Sequence, residues 1–217
     1  MSRRTSFYPK KQPYPLMTFF VEGEVTEREY IKSLKEKLLN NISNLQRRRT
    51  IHSHIKIAEK TAQTPLSLVR LAISSQPQKK DMCVIVIDED GRTSSKEINA
   101  RNQAIQIAQN QKFVFVYSVP CFEFWGLLHL QNTTASLSSA ECQEKLKNVM
   151  PKYNHHKKDL KLDFELLYPH HDEATNRAVR LISSHTKQCH NIDLENPTTN
   201  AYLIKSEIEK FIANFPK

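Results

Sequence analysis

The chain has 217 residues, of which 39% are hydrophobic and 25% are charged. This length and this balance are typical of one folded domain and exclude a wholly disordered chain. No apolar run approaches the roughly 20 residues that span a bilayer, and no apolar segment of signal-peptide type follows the basic start of the chain. We therefore expect a cytoplasmic protein with no membrane partner.

The net charge of +9 indicates a surface that contacts a polyanion. Nucleic acid is favoured over an anionic membrane, because the sequence has no basic amphipathic helix with Trp and Leu opposite its charges. The cysteines form no C-x-x-C pair, so we expect reduced cysteines that mostly pack in the core. They are Cys83, Cys121, Cys142 and Cys189.

Predicted strands and helices alternate along the first part of the chain. Residues 1–15 carry basic side chains between prolines and are interpreted as a basic flexible arm. The sequence Thr26-Glu27-Arg28-Glu29 has the pattern of a capping box that opens a helix. In order, we predict a strand at Leu16–Val21, a helix from Thr26, a strand at Ile51–Glu59, a helix from Pro65, a strand at Met82–Ile87, a helix from the capping box at Ser94 to about Gln109, and a strand at Phe113–Tyr117.

Beyond residue 120 the pattern changes to helices alone. The whole pattern predicts an α/β fold, with a parallel sheet flanked by helices and a helical C-terminal portion. We expect a single domain over residues 16–217, with the α/β core at about 16–120 and the helical portion at about 121–217. The helices predicted there are Phe122–Leu130, Ala140–Val149, Glu173–His185 and Thr199–Ile212.

Three acidic residues lie at the carboxyl ends of predicted strands: Glu22 follows the first strand, and Asp88 and Asp90 follow the central one. Ligands of open parallel sheets bind at that edge. The two-residue period of a strand puts Asp88 and Asp90 on one side and Glu89 on the other. The chain has only three glycines, and two of them adjoin these acids. We expect the three carboxylates to meet if the two strands are neighbours.

Carboxylates that approach one another repel and are stabilised by a shared cation. Oxygen ligands without a nearby cysteine suit Mg²⁺ or Mn²⁺, which also bind phosphate oxygens in phosphoryl transfer. The alternative is that these acids only solvate the turns after the strands. The spacing by itself leaves both interpretations open.

Four motifs, in the same order, resemble those of the RloB family of TOPRIM-type proteins. Phe20-Val21-Glu22-Gly23-Glu24 is similar to the first TOPRIM motif, and Val86-Ile87-Asp88-Glu89-Asp90 is similar to the second, D-x-D. The RloB-like segments Pro120-Cys121-Phe122-Glu123-Phe124-Trp125, with Leu127-Leu128-His129, and Asn196-Pro197-Thr198-Thr199 follow. The set covers about residues 17–205 and departs from the family at Glu89, where an Arg is common.

The resemblance implies a TOPRIM-like fold and a nuclease dependent on Mg²⁺ or Mn²⁺ that cleaves phosphodiester bonds, with RNA such as tRNA favoured as the substrate. It implies that Glu22 acts as acid/base or metal ligand and that Asp88 and Asp90 hold the metal. It also implies an effector of antiphage defence by abortive infection. Because the chain contains no P-loop, control would come from an ABC-type ATPase subunit, which RloB-like proteins typically have as a neighbour. The sequence leaves open whether the chain forms a homo-oligomer.

Other side chains near these motifs have weaker indications. Glu24, Glu27 and Glu123 are further candidate metal ligands, although the helix dipole alone would favour Glu27 in a first helical turn. Cys121 is interpreted as structural, because no histidine is placed beside it as a base. His129 is interpreted as a packed residue. No zinc site is expected, because adjacent histidines diverge.

Two basic stretches are candidates for nucleic-acid binding. In one of them an aromatic ring lies among lysines, where it could stack on a base while the lysines bind phosphates. Either stretch could equally be a solvated helix face. The candidate residues are Lys152, Tyr153, Lys157, Lys158, Arg47, Arg48 and Arg49.

Two other classes of protein fit less well. A catalytically inactive adaptor that binds nucleic acid would keep the fold and lose the chemistry, but the chain has Glu22, Asp88 and Asp90 in place. A primase- or topoisomerase-like enzyme would need a module for polymerisation or strand passage, for which this chain has no room. A nuclease is therefore the favoured function.

Overall fold

The structure is a computed structural model that describes residues 14–23, 25–59, 62, 64–75, 77–89, 94–153, 162–185 and 195–216. Most of the predicted basic arm, residues 1–13, lies outside this set. Glu24, Asp90, Lys157 and Lys158 lie outside it as well.

Within the described residues, a five-stranded sheet forms the centre of the fold. Its strands are β1 (Met17–Val21), β2 (Ile55–Ile57), β3 (Met82–Asp88), β4 (Val114–Val119) and β5 (Thr198–Thr199). Their order in the sheet is β2-β1-β3-β4-β5. The first four strands are parallel and β5 is antiparallel to β4. The expected α/β class is confirmed, with an antiparallel strand at one edge of an otherwise parallel sheet.

Helices follow each of the first four strands and fill the C-terminal portion. A short 3-10 turn at Tyr168–His170 joins the seventh helix to the eighth. The helices are α1 (Thr26–Asn40), α2 (Leu45–His54), α3 (Pro65–Ser74), α4 (Ser95–Asn110), α5 (Glu123–Leu130), α6 (Ser139–Val149), α7 (Phe164–Leu167), α8 (His171–His185) and α9 (Leu203–Asn214).

Two apolar layers cover the two faces of the sheet. Successive side chains of a strand point to opposite faces, so Phe19 of β1 belongs to the layer that includes α1, α5, α8 and α9, and Phe20 belongs to the smaller layer with α3 and α4. Helix α5 is buried from Glu123 to His129. The helical C-terminal portion therefore shares its core with one face of the sheet.

The segment before β2 differs from the sequence prediction. A strand was expected over Ile51–Glu59, but residues up to His54 belong to α2, and the strand covers only Ile55–Ile57. The side chain of Asn44 caps α2 by accepting a hydrogen bond from the backbone of Arg47 at 2.9 Å. Helix α2 buries only Ile51, so its apolar periodicity is too weak to indicate a helix.

The last predicted helix also begins later than expected. Thr198 and Thr199 form β5, and α9 starts at Leu203 rather than at Thr199. The Asn200 side chain accepts from the Tyr117 backbone at 2.7 Å and donates to the Phe115 carbonyl at 2.9 Å. These contacts hold the segment in extended form against β4, which overrides its local helical pattern.

The predicted capping box at Thr26 is wrong, whereas the one at Ser94 is confirmed. Helix α1 has Val25 at its N-cap and no side-chain cap, because the Thr26 hydroxyl donates to Glu123 instead, at 3.2 Å. At α4, Ser94 and Glu97 form a complete capping box. Among the described residues, no helix is long and apolar enough to cross a membrane.

Candidate active site at the carboxyl edge of the sheet

The first two predicted acids lie side by side at the ends of neighbouring strands. β1 pairs with β3 from Met17–Met82 to Val21–Val86. The backbone N–H of Glu22 continues this ladder by donating to the Val86 carbonyl at 3.1 Å. Glu22 therefore lies beside the last residues of β3, the strand that ends at Asp88. The strand order meets the condition of the expectation that these carboxylates meet, because β1 and β3 are neighbours in the sheet.

A third carboxylate, Glu27, comes from the first turn of α1 and is only 4% exposed. Its pKa is raised to about 8, chiefly by burial and then by the negative charge of Asp88, with smaller contributions from Glu123 and Glu22. These contributions fall off with distance, so the four carboxylates form one electrostatic cluster. We call Glu22, Glu27, Asp88 and Glu123 the acid cluster.

Gly23 allows Glu27 to enter this cluster. A Cβ atom built on Gly23 would overlap the carboxylate of Glu27. The Glu27 side chain therefore packs directly against the backbone that follows β1. This close approach gives a physical reason for the Glu-Gly sequence after the first strand.

The fourth carboxylate, Glu123, is held at the start of α5 by two hydroxyl groups. Thr26 of α1 donates to Glu123 Oε1 at 3.2 Å, and Tyr153 donates to the same oxygen at 3.0 Å. Tyr153 is 3% exposed. This placement corrects the expectation that its ring stacks on a base, because the ring is buried and its hydroxyl fixes a carboxylate of the acid cluster.

Glu89 points away from the acid cluster, as the strand period predicted for a residue after Asp88. Its carboxylate forms an ion pair with Arg101 of α4 at 2.5 Å, and both side chains are less than a tenth exposed. The negative charge of Glu89 is therefore neutralised within this chain. Local sequence spacing did not indicate Arg101 as its partner.

The acid cluster is chemically suited to a divalent cation. Its donors are carboxylate oxygens, which Mg²⁺ and Mn²⁺ prefer, and their mutual repulsion is the kind of strain that a cation relieves. No three His, Cys, Asp or Glu side chains among the described residues stand close enough together to hold a metal ion. Asp90 and Glu24, which the sequence analysis also named as ligands, lie outside those residues.

Cys121 and His129 occupy structural positions. The Cys121 thiol is buried, and its pKa is raised by a hydrogen bond with Cys142 and by burial, so it stays neutral. His129 is also buried; burial lowers its pKa to about 3, and its Nδ1 lies 2.8 Å from the Trp125 carbonyl. Neither group has the character of a nucleophile or a base at neutral pH.

The arginines of the predicted basic stretch in α2 have different surroundings. Arg47 donates to the carbonyls of Phe215 and Pro216, at 3.1 Å each, and so binds the C-terminal end of the described chain. Arg48 donates to the Asn40 side chain at 3.2 Å. Arg49 is exposed, as is Lys152 of the other stretch. The guanidinium of Arg47 is therefore engaged in holding the fold together.

Two positions in the site were missed by the sequence analysis. Thr26 was interpreted as a helix cap, and Tyr153 as a nucleic-acid contact, whereas both donate to Glu123. Tyr153 is separated from Glu123 by a whole helix, α6, so no local spacing indicates that they meet. The only signal was that Glu123 carries a charge inside a strongly apolar helix, which implies hydrogen-bond partners.

Comparison with known proteins supports the resemblance noted in the sequence. A family model described as RloB-like protein matches residues 18–208, which is most of the chain. The matched range includes all four carboxylates of the acid cluster and Tyr153. No curated protein and no solved structure matches the chain.

Proposed function

The chain belongs to the RloB-like family, and on that premise we propose that it is a nuclease that uses Mg²⁺ or Mn²⁺ to cleave phosphodiester bonds in nucleic acid. RNA, including tRNA, is the favoured substrate. The cleavage serves antiphage defence by abortive infection.

The observation that carries this proposal is the accumulation of negative charge at the carboxyl edge of the sheet. Four carboxylates lie at this edge, from the residue after β1, the first turn of α1, the end of β3 and the start of α5. Burial is the main cause that raises the pKa of Glu27 to about 8, and the negative charges of Asp88, Glu123 and Glu22 add to it. Folding such repelling acids together lowers stability unless a ligand repays that cost. A divalent cation is the ligand whose chemistry fits carboxylate oxygens at the ligand-binding edge of a parallel sheet.

Each acid has a proposed role. Asp88 and Asp90 hold the cation together with Glu22, and Glu27 and Glu123 are further candidates for this set. When bound, the cation would lower the pKa of a coordinated water and neutralise charge on the scissile phosphate. Glu22 would accept the proton of the attacking water, and Thr26 and Tyr153 would keep Glu123 in one orientation.

The experiment that tests this function is a cleavage assay on total cellular RNA and on plasmid DNA, with Mg²⁺ and with EDTA. We expect cleavage by the wild-type chain only with the divalent cation, and none by the Glu22→Gln variant under either condition. A wild-type chain that cleaves neither substrate with Mg²⁺ or Mn²⁺ would contradict the proposal. Sequencing of the new RNA ends would then identify the preferred substrate.

The competing function is a catalytically inactive adaptor that binds nucleic acid. The specific observation in its favour is that the described side chains alone form no metal-binding group of three. The same assay separates the two functions when binding is measured in parallel. Binding of RNA without cleavage, unaffected by Glu22→Gln, would favour the adaptor.

A regulatory partner is part of the proposal. A nuclease of this kind would damage its own cell, so we propose that an ABC-type ATPase subunit holds it inactive through the helical portion after residue 120. Co-expression with the product of the adjacent gene, followed by pull-down and a toxicity assay, tests this association. Toxicity that is indifferent to the partner, with no pull-down, would contradict it.

A further inference from the structure

A positively charged groove lies between α1, which also supplies Glu27 to the acid cluster, the edge strand β2 and α3. It has a volume of about 750 Å³, and thirteen of the described residues line it. Among these thirteen, four side chains are cationic, namely Arg28, Lys32, Lys35 and Lys56, and only Glu59 is acidic. None of these cations belongs to the basic stretches that the sequence analysis singled out.

Three of the cations form a row on one face of α1. Arg28, Lys32 and Lys35 have the i, i+4, i+7 spacing that places side chains along a single helix face. At about 1.5 Å per residue, the row is about 10 Å long. Lys56 projects from β2 into the same groove and is exposed. The groove therefore presents a line of positive charge and a further cation beside it.

Most of this charge is unneutralised within the described chain. Lys32 pairs with Glu29 at 2.8 Å, whereas Arg28, Lys35 and Lys56 have no ion pair within 4.0 Å among the residues that the structure describes. Lys35 is half-buried, and this desolvation lowers its pKa. A concave, partly desolvated set of cations attracts an anion more strongly than the same charges on an open surface.

The row leads away from the acid cluster. Arg28 adjoins Glu27 and donates to the carbonyl of Ala58, just after β2, at 2.7 Å. At the other end, Lys35 donates to the carbonyl of Ile55, the first residue of β2, at 2.9 Å. The groove therefore runs from the carboxyl edge of the sheet, where the acids gather, back along the edge strand.

We propose that this groove binds the phosphate backbone of one nucleic-acid strand and guides that strand into the acid cluster. The location of the groove gives it this role only if the acid cluster is the cleavage site, so the inference rests on the proposed function. A line of cations that ends at clustered carboxylates suits a polyanion that must be bound along its length and cleaved at one point.

The other occupant of an exposed edge strand is a peptide that adds a further strand. Two features favour the phosphate backbone. β2 has only three residues, and side chains of α1 already donate to the carbonyls of Ile55 and Ala58. A strand added there would find a short edge and a surface of positive charge.

The test measures binding of a fluorescently labelled oligo(U) 20-mer and an oligo(dT) 20-mer to the full chain by anisotropy, in EDTA so that nothing is cleaved. The groove variant is Lys32→Glu with Lys56→Glu, and Lys32→Gln with Lys56→Gln serves as a milder version in case charge reversal disturbs folding. The matched control is Lys112→Glu with Lys147→Glu, because both lysines are exposed and lie outside the groove. Each charge-reversed pair lowers the net charge equally.

We expect the groove variants to bind at least about tenfold more weakly than the control at the same salt concentration. The slope of log K against log salt should become shallower by about 1.4 when two contacts are removed, because each phosphate neutralised on a single strand contributes about 0.7. Equal affinity of groove and control variants would overturn the inference. If the groove variants lose binding but the wild-type chain never cleaves with Mg²⁺, the groove stands and the proposed nuclease function fails.

Discussion

At the scale of single residues, the site depends on close packing of a carboxylate against a backbone without a side chain. Gly23 is placed so that a Cβ would overlap the Glu27 carboxylate, and Glu27 in turn responds to the charges of Asp88, Glu123 and Glu22. Gly23, which has no side chain, therefore leaves the space in which the Glu27 carboxylate lies. This arrangement leads to two predictions.

The first prediction concerns Gly23→Ala. The added methyl group should push the Glu27 carboxylate out of its position and lower the Mg²⁺-dependent cleavage rate by about 100-fold, the scale on which a displacement of about 1 Å slows a reaction. Gly126→Ala is the control, because its new Cβ would meet Leu162 Cδ2 at 2.8 Å rather than a carboxylate. Cleavage rates and thermal unfolding should be compared; equal rates for Gly23→Ala and wild type would contradict the packing argument.

The second prediction concerns the buried charge of Glu27. Burial raises its pKa to about 8 in the folded chain, from the ordinary glutamate value of 4.5. Because the folded chain holds the Glu27 proton more tightly than the unfolded chain does, the protonated carboxyl contributes to the free energy of unfolding. This contribution is complete below pH 4.5 and is lost as the pH rises through 8. The loss amounts to about 1.4 kcal/mol per pH unit between those values.

Urea unfolding in EDTA at several pH values tests this expectation. The Glu27→Gln variant cannot ionise at this position, so the difference in stability between variant and wild type should grow in favour of the variant as the pH rises from 5 to 8. Parallel pH profiles for the two proteins would show that Glu27 is not the group that titrates.

At the scale of elements, helix α1 contributes to both the acid cluster and the cationic groove. Its first turn supplies Glu27 and the Thr26 hydroxyl to the acid cluster, and the face that carries Arg28, Lys32 and Lys35 supplies the row of cations. The Thr-x-x-Glu pattern predicted a capping box, because the sequence shows only the local spacing of these residues. The hydroxyl instead meets Glu123, which is 97 residues away in sequence, so a tertiary contact overrides the local motif.

The pairing of β3 with α4 gives a prediction at this scale. Glu89, just after β3, and Arg101 form a buried ion pair at 2.5 Å. Arg101→Met should lower the free energy of unfolding by about 3–5 kcal/mol, because it removes the partner of a buried charge. Glu89→Gln with Arg101→Met should recover much of that loss. A double variant no more stable than Arg101→Met alone would contradict a direct interaction between the two side chains.

At the scale of the whole molecule, the central sheet could be predicted because its strands are buried on both faces. The apolar run of β3 and the strand after it stand out in any sequence. β2 could be located only within a longer predicted strand, and β5 could not be located at all. They have three and two residues and depend on neighbouring strands and, for β5, on Asn200.

The candidate site likewise contains some positions that could be predicted from the sequence and others that could not. Glu22 and Asp88 could be predicted to meet, because both end strands of one parallel sheet. The positions of Glu123 and Tyr153 depend on how α5 and α6 pack over that edge, and the cationic groove depends on β2 lying beside α1. Long-range packing of this kind leaves no periodic signal in the sequence.

The most direct test of the central claim is the rate of Mg²⁺-dependent RNA cleavage by Asp88→Asn, compared with Asp172→Asn. The first substitution removes a charge from the acid cluster, and the second removes the same charge from a side chain that is 92% exposed on α8. We predict that Asp88→Asn lowers the rate by about two orders of magnitude or more, as loss of one essential electrostatic group does, whereas Asp172→Asn retains wild-type activity. Equal rates for the two variants would contradict the assignment of the acid cluster as a metal-dependent cleavage site.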